Sequence, residues 1–363
     1  MISTAHLRTL TVVVSRGQSR APEKRALEAA LVEVAEKLAD RQAVRVLSIP
    51  HLYDLPPGGE TVARLREISG DIVFLSWVYP RAARWVLDRA GIRGQFGRVE
   101  LVEGDGEGDE EAAAGENPLA AAALADDAST DETPERVLDT LSLPDRKIYC
   151  IDLRVAEDAA AYADELRRIL SEGGEGTLEA FTESGGSELR FSAADDLAPP
   201  DVIEPLRIEE GTTRRWYPVI DFSRCTNCME CIDFCLFGVY GINDAETILV
   251  EQPDNCRKGC PACSRVCPEN AIIFPQHKTP AIAGAETDDG TGLKIDLSLL
   301  FGAPEKDEDP IAAAARERDE QLLLAGRAAV GMEVGIPKRR LEKRTGPKDD
   351  LDQLIDQLDG FDL

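Results

Sequence analysis

Two stretches of sequence decide how the second half of this chain folds: CTNCMECIDFC, residues 225–235, and CRKGCPACSRVCP, residues 256–268. They hold every cysteine of the chain except Cys150. In each stretch three cysteines lie close together, and a fourth follows four positions after the third. Three thiolates on so short a loop force the backbone to wrap around one compact group. The fourth cysteine, one helical turn later, faces away from that loop, so the pattern predicts two linked metal sites.

The rest of the sequence favours metal over disulfides. The N-terminus has only a five-residue apolar or β-branched run, residues 10–14, which is too short for a secretory signal. We therefore expect a cytoplasmic protein, where reducing conditions disfavour disulfides and dense cysteines more often bind metal. Structural zinc, which also takes four thiolates, stays open as an alternative. Cys150 lies in a strand-like run and is predicted to be a small buried hydrophobe.

The paired quartets resemble those of bacterial-type ferredoxins with two [4Fe–4S] clusters, in which each quartet gives three thiolates to one cluster and its fourth to the other. The chain departs from that pattern twice. Leu236 follows Cys235 where the family usually has proline, and one extra residue separates Cys256 from Cys260. The resemblance implies two [4Fe–4S] clusters as cofactors. The implied metal ligands are Cys225, Cys228, Cys231 and Cys267 for one cluster, and Cys256, Cys260, Cys263 and Cys235 for the other.

Strand-like runs flank each quartet. They cover residues 217–222 and 239–242 around the first quartet, and residues 247–252 and 271–274 around the second. This arrangement predicts two β-α-β halves related by a pseudo-two-fold axis. We expect an α+β ferredoxin-like domain over residues 214–280, called the cysteine module below.

The N-terminal part alternates between strand-like and helical patterns. Predicted strands cover residues 10–14, 43–49, 71–78, 97–102 and 147–153, and predicted helices cover 22–38, 61–68, 82–90 and 156–170. Alternation of this kind predicts an α/β domain with a parallel sheet, flavodoxin-like or similar, formed by residues 1–102 and 140–173.

The remaining segments have little pattern of their own. Residues 103–139 are predicted to be a disordered acidic insertion, because twelve acidic and no basic side chains occur between Glu103 and Glu135. Residues 174–213 are interpreted as a linker. Residues 281–363 are interpreted as an extended tail with short helices, one over 312–324 and an amphipathic one over 349–363.

The turn from Ser15 to Arg20 is a weaker signal. A glycine, two hydroxyls and two arginines between a strand and a helix could bind phosphate through helix-terminal N–H groups. The same residues suit an ordinary turn and helix cap. The turn is loosely similar to the phosphate loop of flavodoxins but lacks their Thr-Gly-x-Thr core, so no flavin site is implied.

The net charge of the chain restricts the kinds of molecule that it can bind. Lys and Arg number 41 and Asp and Glu 68, for a net charge of −27. This disfavours nucleic acid as a partner, because neutralising phosphates requires a basic surface. No uncharged apolar stretch approaches the roughly 18 residues that a membrane span needs. The amphipathic tail helix is a candidate docking element for a partner protein.

These observations predict a non-enzymatic carrier that moves electrons through two [4Fe–4S] clusters between redox partner proteins. An alternative is an iron–sulfur enzyme or enzyme subunit whose N-terminal domain binds a flavin, nucleotide or tetrapyrrole. A third hypothesis is a scaffold that uses clusters or zinc only for folding.

Overall fold

The computed structural model describes residues 9–39, 44–102, 134–178, 206–285 and 310–335. Its largest element is a six-stranded sheet in which every neighbouring pair of strands is parallel. The order across the sheet is β4-β5-β3-β1-β2-β6. The predicted parallel sheet is therefore confirmed. The strands are β1 (Leu10–Ser15), β2 (Val44–Ile49), β3 (Asp71–Ser76), β4 (Gln95–Phe96), β5 (Lys147–Asp152) and β6 (Leu206–Arg207).

Four helices cover both faces of this sheet, and together they form the α/β module. They are α1 (Pro22–Ala39), α2 (Glu60–Glu67), α3 (Pro80–Arg89) and α4 (Ala159–Leu178). The central strands β1 and β3 bury every residue, as continuous apolar runs do when helices lie on both sides. One core packs α1 and α4 against the sheet, and a second core packs α2 and α3 against the opposite face.

Two elements of the α/β module differ from the sequence prediction. The strand expected over residues 97–102 is formed at Gln95–Phe96 instead, and Gly97 then lies against the Tyr149 ring, where a Cβ would come within 2.3 Å. The predicted linker over residues 174–213 contains β6, which extends the sheet beside β2, and its first residues belong to α4. A two-residue strand carries too little pattern to be recognised in a sequence.

The cysteine module contains two strand-helix-strand segments. The first is β7 (Val219–Ile220), α5 (Glu230–Phe234) and β8 (Tyr240–Ile242), and the second is β9 (Ile248–Val250), α6 (Ala262–Val266) and β10 (Ile272–Ile273). Strands pair antiparallel across the two segments, β7 with β10 and β8 with β9. Each segment therefore supplies one strand to each of two small sheets, which brings the two cysteine stretches together.

The two modules share a hydrophobic core. Tyr217, Val219 and Ile273 of the cysteine module pack with the α2 and α3 side of the sheet. Tyr53 and Tyr217 stack with ring centroids 4.3 Å apart, and each hydroxyl hydrogen-bonds to the other residue's backbone. Both rings are buried, so these polar groups are satisfied within the interface.

Two further segments contact the cysteine module. Residues 137 and 138, which belong to the predicted insertion 103–139, donate their N–H groups to the carbonyls of Cys225 and Phe222. The part of that insertion over 103–133 lies outside the described residues. The helix predicted over 312–324 is confirmed as α8 (Pro310–Leu324), which packs on α6, after a short α7 (Pro280–Ala283). The predicted tail helix over 349–363 lies outside the described residues.

Candidate metal centres

One cavity of the cysteine module is lined by three cysteines of the first stretch and the last cysteine of the second. These are Cys225, Cys228, Cys231 and Cys267. Apolar side chains close its walls, among them Ile248 of β9. The structure thus brings together residues that are up to 42 positions apart in the sequence.

A second cavity has the complementary set of cysteines: Cys235, Cys256, Cys260 and Cys263. Phe234 and Tyr240, which are both buried, lie in its wall, together with Arg318 from α8. The Trp216 indole donates to the Cys260 carbonyl at 3.3 Å and stacks on Phe274, which adds aromatic cover on this side. Each cavity therefore combines three cysteines of one stretch with the fourth of the other.

The backbone around the first three cysteines turns sharply. Asn227 and Met229 both have positive φ angles, 57° and 65°. Asparagine tolerates this conformation because its short polar side chain can hydrogen-bond locally. The Asn227 side chain donates to the Glu246 carbonyl and accepts from the Ile248 N–H, both at 2.9 Å. It thereby fixes the loop to the turn between β8 and β9.

The second loop is wider and uses a glycine. Gly259 has a φ of 87°, and it occupies the interval that the extra residue lengthens. No atom lies within 4 Å of where its Cβ would be, so the conformation rather than crowding favours glycine here.

Several donors point at the cysteine sulfurs. The N–H of Asn227 lies 3.4 Å from Cys225 Sγ, and the N–H of Ala271 lies 3.2 Å from Cys267 Sγ. The Tyr240 hydroxyl donates to Cys263 Sγ at 3.1 Å. Hydrogen bonds to sulfur favour the thiolate, which is the form that binds metal.

Burial acts against that thiolate form as long as no metal is bound. Burial raises the pKa of Cys225 to about 11, with the neighbouring Cys267 and Cys228 adding to the effect and the Asn227 N–H opposing it. Burial also raises the pKa of Cys260 to about 11. A metal bound by these thiols would therefore displace their protons, which would couple metal affinity to pH.

The charges around the two cavities differ. Glu230 and Glu269 line the first cavity, and Glu269 pairs with Arg136 at 2.6 Å. The second cavity is lined by a single ionisable group other than its cysteines and Tyr240, within the described part of the chain: the guanidinium of Arg318. Sequence reasoning did not identify Arg318, Asn227 or Tyr240. Only Asn227 carried a signal, as a residue that accepts positive φ between two cysteines.

The other sequence candidates have structural partners. Gly17, in the turn considered for phosphate, donates its N–H to Glu28 Oε1 at 2.7 Å, and Arg16 binds the carbonyls of Ile49 and Ile208. Cys150 is buried in the core of the α/β module, as predicted, and burial raises its pKa to about 12.

Among the described residues, no three His, Cys, Asp or Glu side chains converge on the position of a single metal ion. Instead, the two cysteine sets surround cavities. No described helix is long and apolar enough to cross a lipid bilayer.

The chain is similar to two proteins of Methanocaldococcus jannaschii. It is 45% identical to an uncharacterised ferredoxin over 85 residues, which are 22% of this chain and 57% of the relative. It is 33% identical to pyruvate synthase subunit PorD over 67 residues, which are 18% of this chain and 76% of the relative. The chain thus spans little more than half of the uncharacterised ferredoxin's length.

No protein-family model matches the chain, and no solved structure matches it. The similarity to relatives therefore rests on sequence, and it covers about a fifth of the chain. These two similarities support a ferredoxin-type domain within the chain.

Proposed function

We propose that this chain is an electron-transfer protein that holds two [4Fe–4S] clusters and carries electrons between redox partner proteins. One observation carries the proposal: each cavity combines three cysteines of one stretch with the last cysteine of the other. A zinc site needs its four sulfurs about 2.3 Å from one ion. A four-iron cluster distributes its thiolates over four metal atoms, so the sulfurs surround a wider space.

The lining of the two cavities supports the proposed ligand sets. Cys225, Cys228, Cys231 and Cys267 would hold the first cluster. Cys235, Cys256, Cys260 and Cys263 would hold the second cluster. Each cluster, when bound, accepts or releases one electron without chemical change in a substrate.

The chain's own groups prepare the two sites. Backbone N–H groups and the Tyr240 hydroxyl stabilise negative charge on the sulfurs. Buried side chains such as Phe234 limit water near the second site. One relative is by name a subunit of pyruvate synthase, which favours a role beside a larger redox partner.

Anaerobic metal analysis of the full chain tests the proposal. Purified protein should contain about eight iron and about eight sulfide per chain, and its broad visible absorption should bleach with dithionite. A matched variant, Cys150→Ser, changes the one cysteine outside the two sets and should keep the full iron content. A colourless protein that contains zinc and no sulfide would reject the proposal.

A cavity in the α/β module favours a second candidate function. About 790 Å³ of space opens where the chain leaves β1 and β2, and Arg25 and His51 are among its lining residues. It shares Asp54, Thr212 and Arg214 with a neighbouring cavity of about 420 Å³, whose lining includes Cys256. A ligand bound here would lie beside the proposed second cluster.

In this second candidate, the chain is a redox enzyme or enzyme subunit whose α/β module binds a flavin, nucleotide or tetrapyrrole. Titration of the holoprotein with FMN, NADH and uroporphyrin tests it. We expect one of these anions to bind, and Arg214→Gln to weaken that binding at least about tenfold because a facing charge is lost. If none of the three binds, the second candidate is rejected and the electron carrier is unaffected.

A further inference from the structure

Arg318 occupies an unusual position for a charged side chain. It lies on α8, outside both cysteine stretches, and only 1% of its surface is exposed. It nevertheless lines the cavity formed by Cys235, Cys256, Cys260 and Cys263. A buried charge costs free energy unless it is compensated, so its environment must provide partners.

Those partners hold the guanidinium in place. Two of its nitrogens donate to the carbonyls of Val334 at 2.7 Å and Gly331 at 2.6 Å, and the third lies 3.4 Å from Asp319 Oδ1. The guanidinium also lies over the Phe234 ring, 4.6 Å from its centroid. An arginine stays protonated in proteins, so the site keeps a positive charge at every physiological pH.

The segment that binds Arg318 is itself packed against the cysteine module. Gly335 lies so close to α5 that a Cβ would come within 2.7 Å of the Asp233 carbonyl oxygen. Next to Arg318 on α8, Glu317 binds Arg265 of α6 with both oxygens, at 2.9 and 3.0 Å. The Glu317 carboxylate, although paired with Arg265, acts on Cys260 with the opposite sign to Arg318, and Asp319 offsets a further part of the Arg318 charge. Of these four charged groups, Arg318 is the one that lines the cavity.

The first cavity has different surroundings, since two carboxylates line it: Glu230, and Glu269, which pairs with Arg136. Reduction adds one negative charge to an iron–sulfur cluster. A nearby fixed positive charge stabilises the reduced form, and nearby carboxylates destabilise it. The effect is larger in a buried site, where water screens the charge less.

We propose that Arg318 raises the reduction potential of the second cluster above that of the first, so that electrons collect at the Cys256 side of the module. The inference rests on the proposed function, since it requires both clusters. The step it describes is a one-electron transfer in which the first cluster is oxidised and the second is reduced, and no bond forms or breaks. Arg318 is not a ligand: its charge acts on the cluster through space.

Redox titration of the reconstituted full chain, followed by EPR, tests this inference. Arg318→Met removes the charge and keeps much of the side-chain length. We expect it to lower the midpoint potential of one cluster by the equivalent of about a tenfold change in the ratio of reduced to oxidised form, or about 59 mV, while the other potential stays unchanged. Signals are assigned to clusters with the variants Cys225→Ser and Cys260→Ser.

Two controls separate charge from packing. Arg318→Lys keeps the positive charge and should keep the potential near that of the wild type, whereas a packing role predicts similar changes for Lys and Met. Arg316→Met removes an exposed arginine of the same helix and should change neither potential. If Arg318→Met fails to fold, the comparison of Arg318→Lys with Arg318→Gln replaces it.

The outcomes distinguish this inference from the proposed function. Wild-type protein without two EPR-active clusters rejects the proposed function itself. Two clusters with equal potentials in the wild type, or potentials that neutral substitutions at position 318 leave unchanged, reject the role of Arg318 and leave the electron carrier in place.

Discussion

The α/β module and the cysteine module are stabilised in different ways. In the α/β module, long strands such as β1 and β3 are buried along their whole length between two layers of helices. In the cysteine module no described strand is longer than three residues, and half of the cysteines are buried. Small sheets of this size bury too little apolar surface to be stable alone.

This difference indicates which interactions stabilise each module. The α/β module relies on apolar packing, most of it between its own strands and helices. The cysteine module relies on groups outside its strands: the proposed clusters, the interface with α3, the turn at Val137–Thr140, and α8. The following predictions test that contrast, beginning with the largest expected effect.

The largest effect should come from loss of a cysteine. We expect Cys267→Ser to lose about half of the iron, because one of two clusters loses a ligand. Its remaining EPR spectrum should match that of Cys225→Ser, since these two residues line the same cavity. A spectrum that matches Cys256→Ser instead would contradict the crossed arrangement. Cys150→Ser, in the α/β module, is the control and should keep both signals.

An intermediate effect should come from the interface between the modules. Asp221, which is 1% exposed, binds the buried Arg81 guanidinium of α3 and the N–H of Ser223, two residues before Cys225. Removing one partner of such a pair leaves an uncompensated buried charge, so we expect Asp221→Ala to cost about 3–5 kcal/mol of unfolding free energy.

Anaerobic urea unfolding, followed by tryptophan fluorescence, measures this change. The matched control is Asp164→Ala, which removes an exposed carboxylate that pairs with Arg167 on α4. That variant should lose less than about 1 kcal/mol, because exposed ion pairs contribute little. Similar losses of unfolding free energy for both variants would contradict the contribution to stability that we assign to the interface.

The smallest effect concerns one carboxyl group of the α/β module. Burial acts to raise the pKa of Glu165, but hydrogen bonds from Arg168 and from the N–H of Glu100 outweigh it, so the pKa is lowered. A lowered pKa in the folded state means that the ionised group stabilises the fold above its unfolded pKa, and that this stability is lost as the pH falls through the folded value.

We therefore expect Glu165→Gln to be less stable than wild type at pH 7, with the difference shrinking as the medium is acidified below about pH 4.3. Chemical unfolding at several pH values measures it. Glu36→Gln, on α1, is the control. A difference that stays constant with pH would contradict the assignment.

Much of the fold could be predicted from the sequence because its signals are local. The apolar runs at β1, β3 and β5 indicated a parallel sheet, and the sheet is observed. The helix over 312–324 was also recognisable from its composition. The two-residue strands β4 and β6 were not, since so short a run has no periodicity.

The candidate site, like the fold, could be predicted from the sequence only in part. Spacing alone separated the eight clustered cysteines from Cys150, because three thiolates within one short loop can only converge on a compact group. The grouping of the eight cysteines into two sets was implied by the resemblance to two-cluster ferredoxins. What spacing could not predict was the identity of the neighbours, such as Tyr240 at Cys263.

The sequence by itself determined which cysteines are the candidate metal ligands and which segments form the strands β1, β2, β3 and β5 of the sheet, because both depend on residues close together in the chain. Only the tertiary structure decided that the two modules share a core through Tyr53 and Tyr217, and that Arg318 lies buried against one cysteine set. These contacts join residues up to 164 positions apart. They depend on how whole elements pack, and no local pattern encodes that packing.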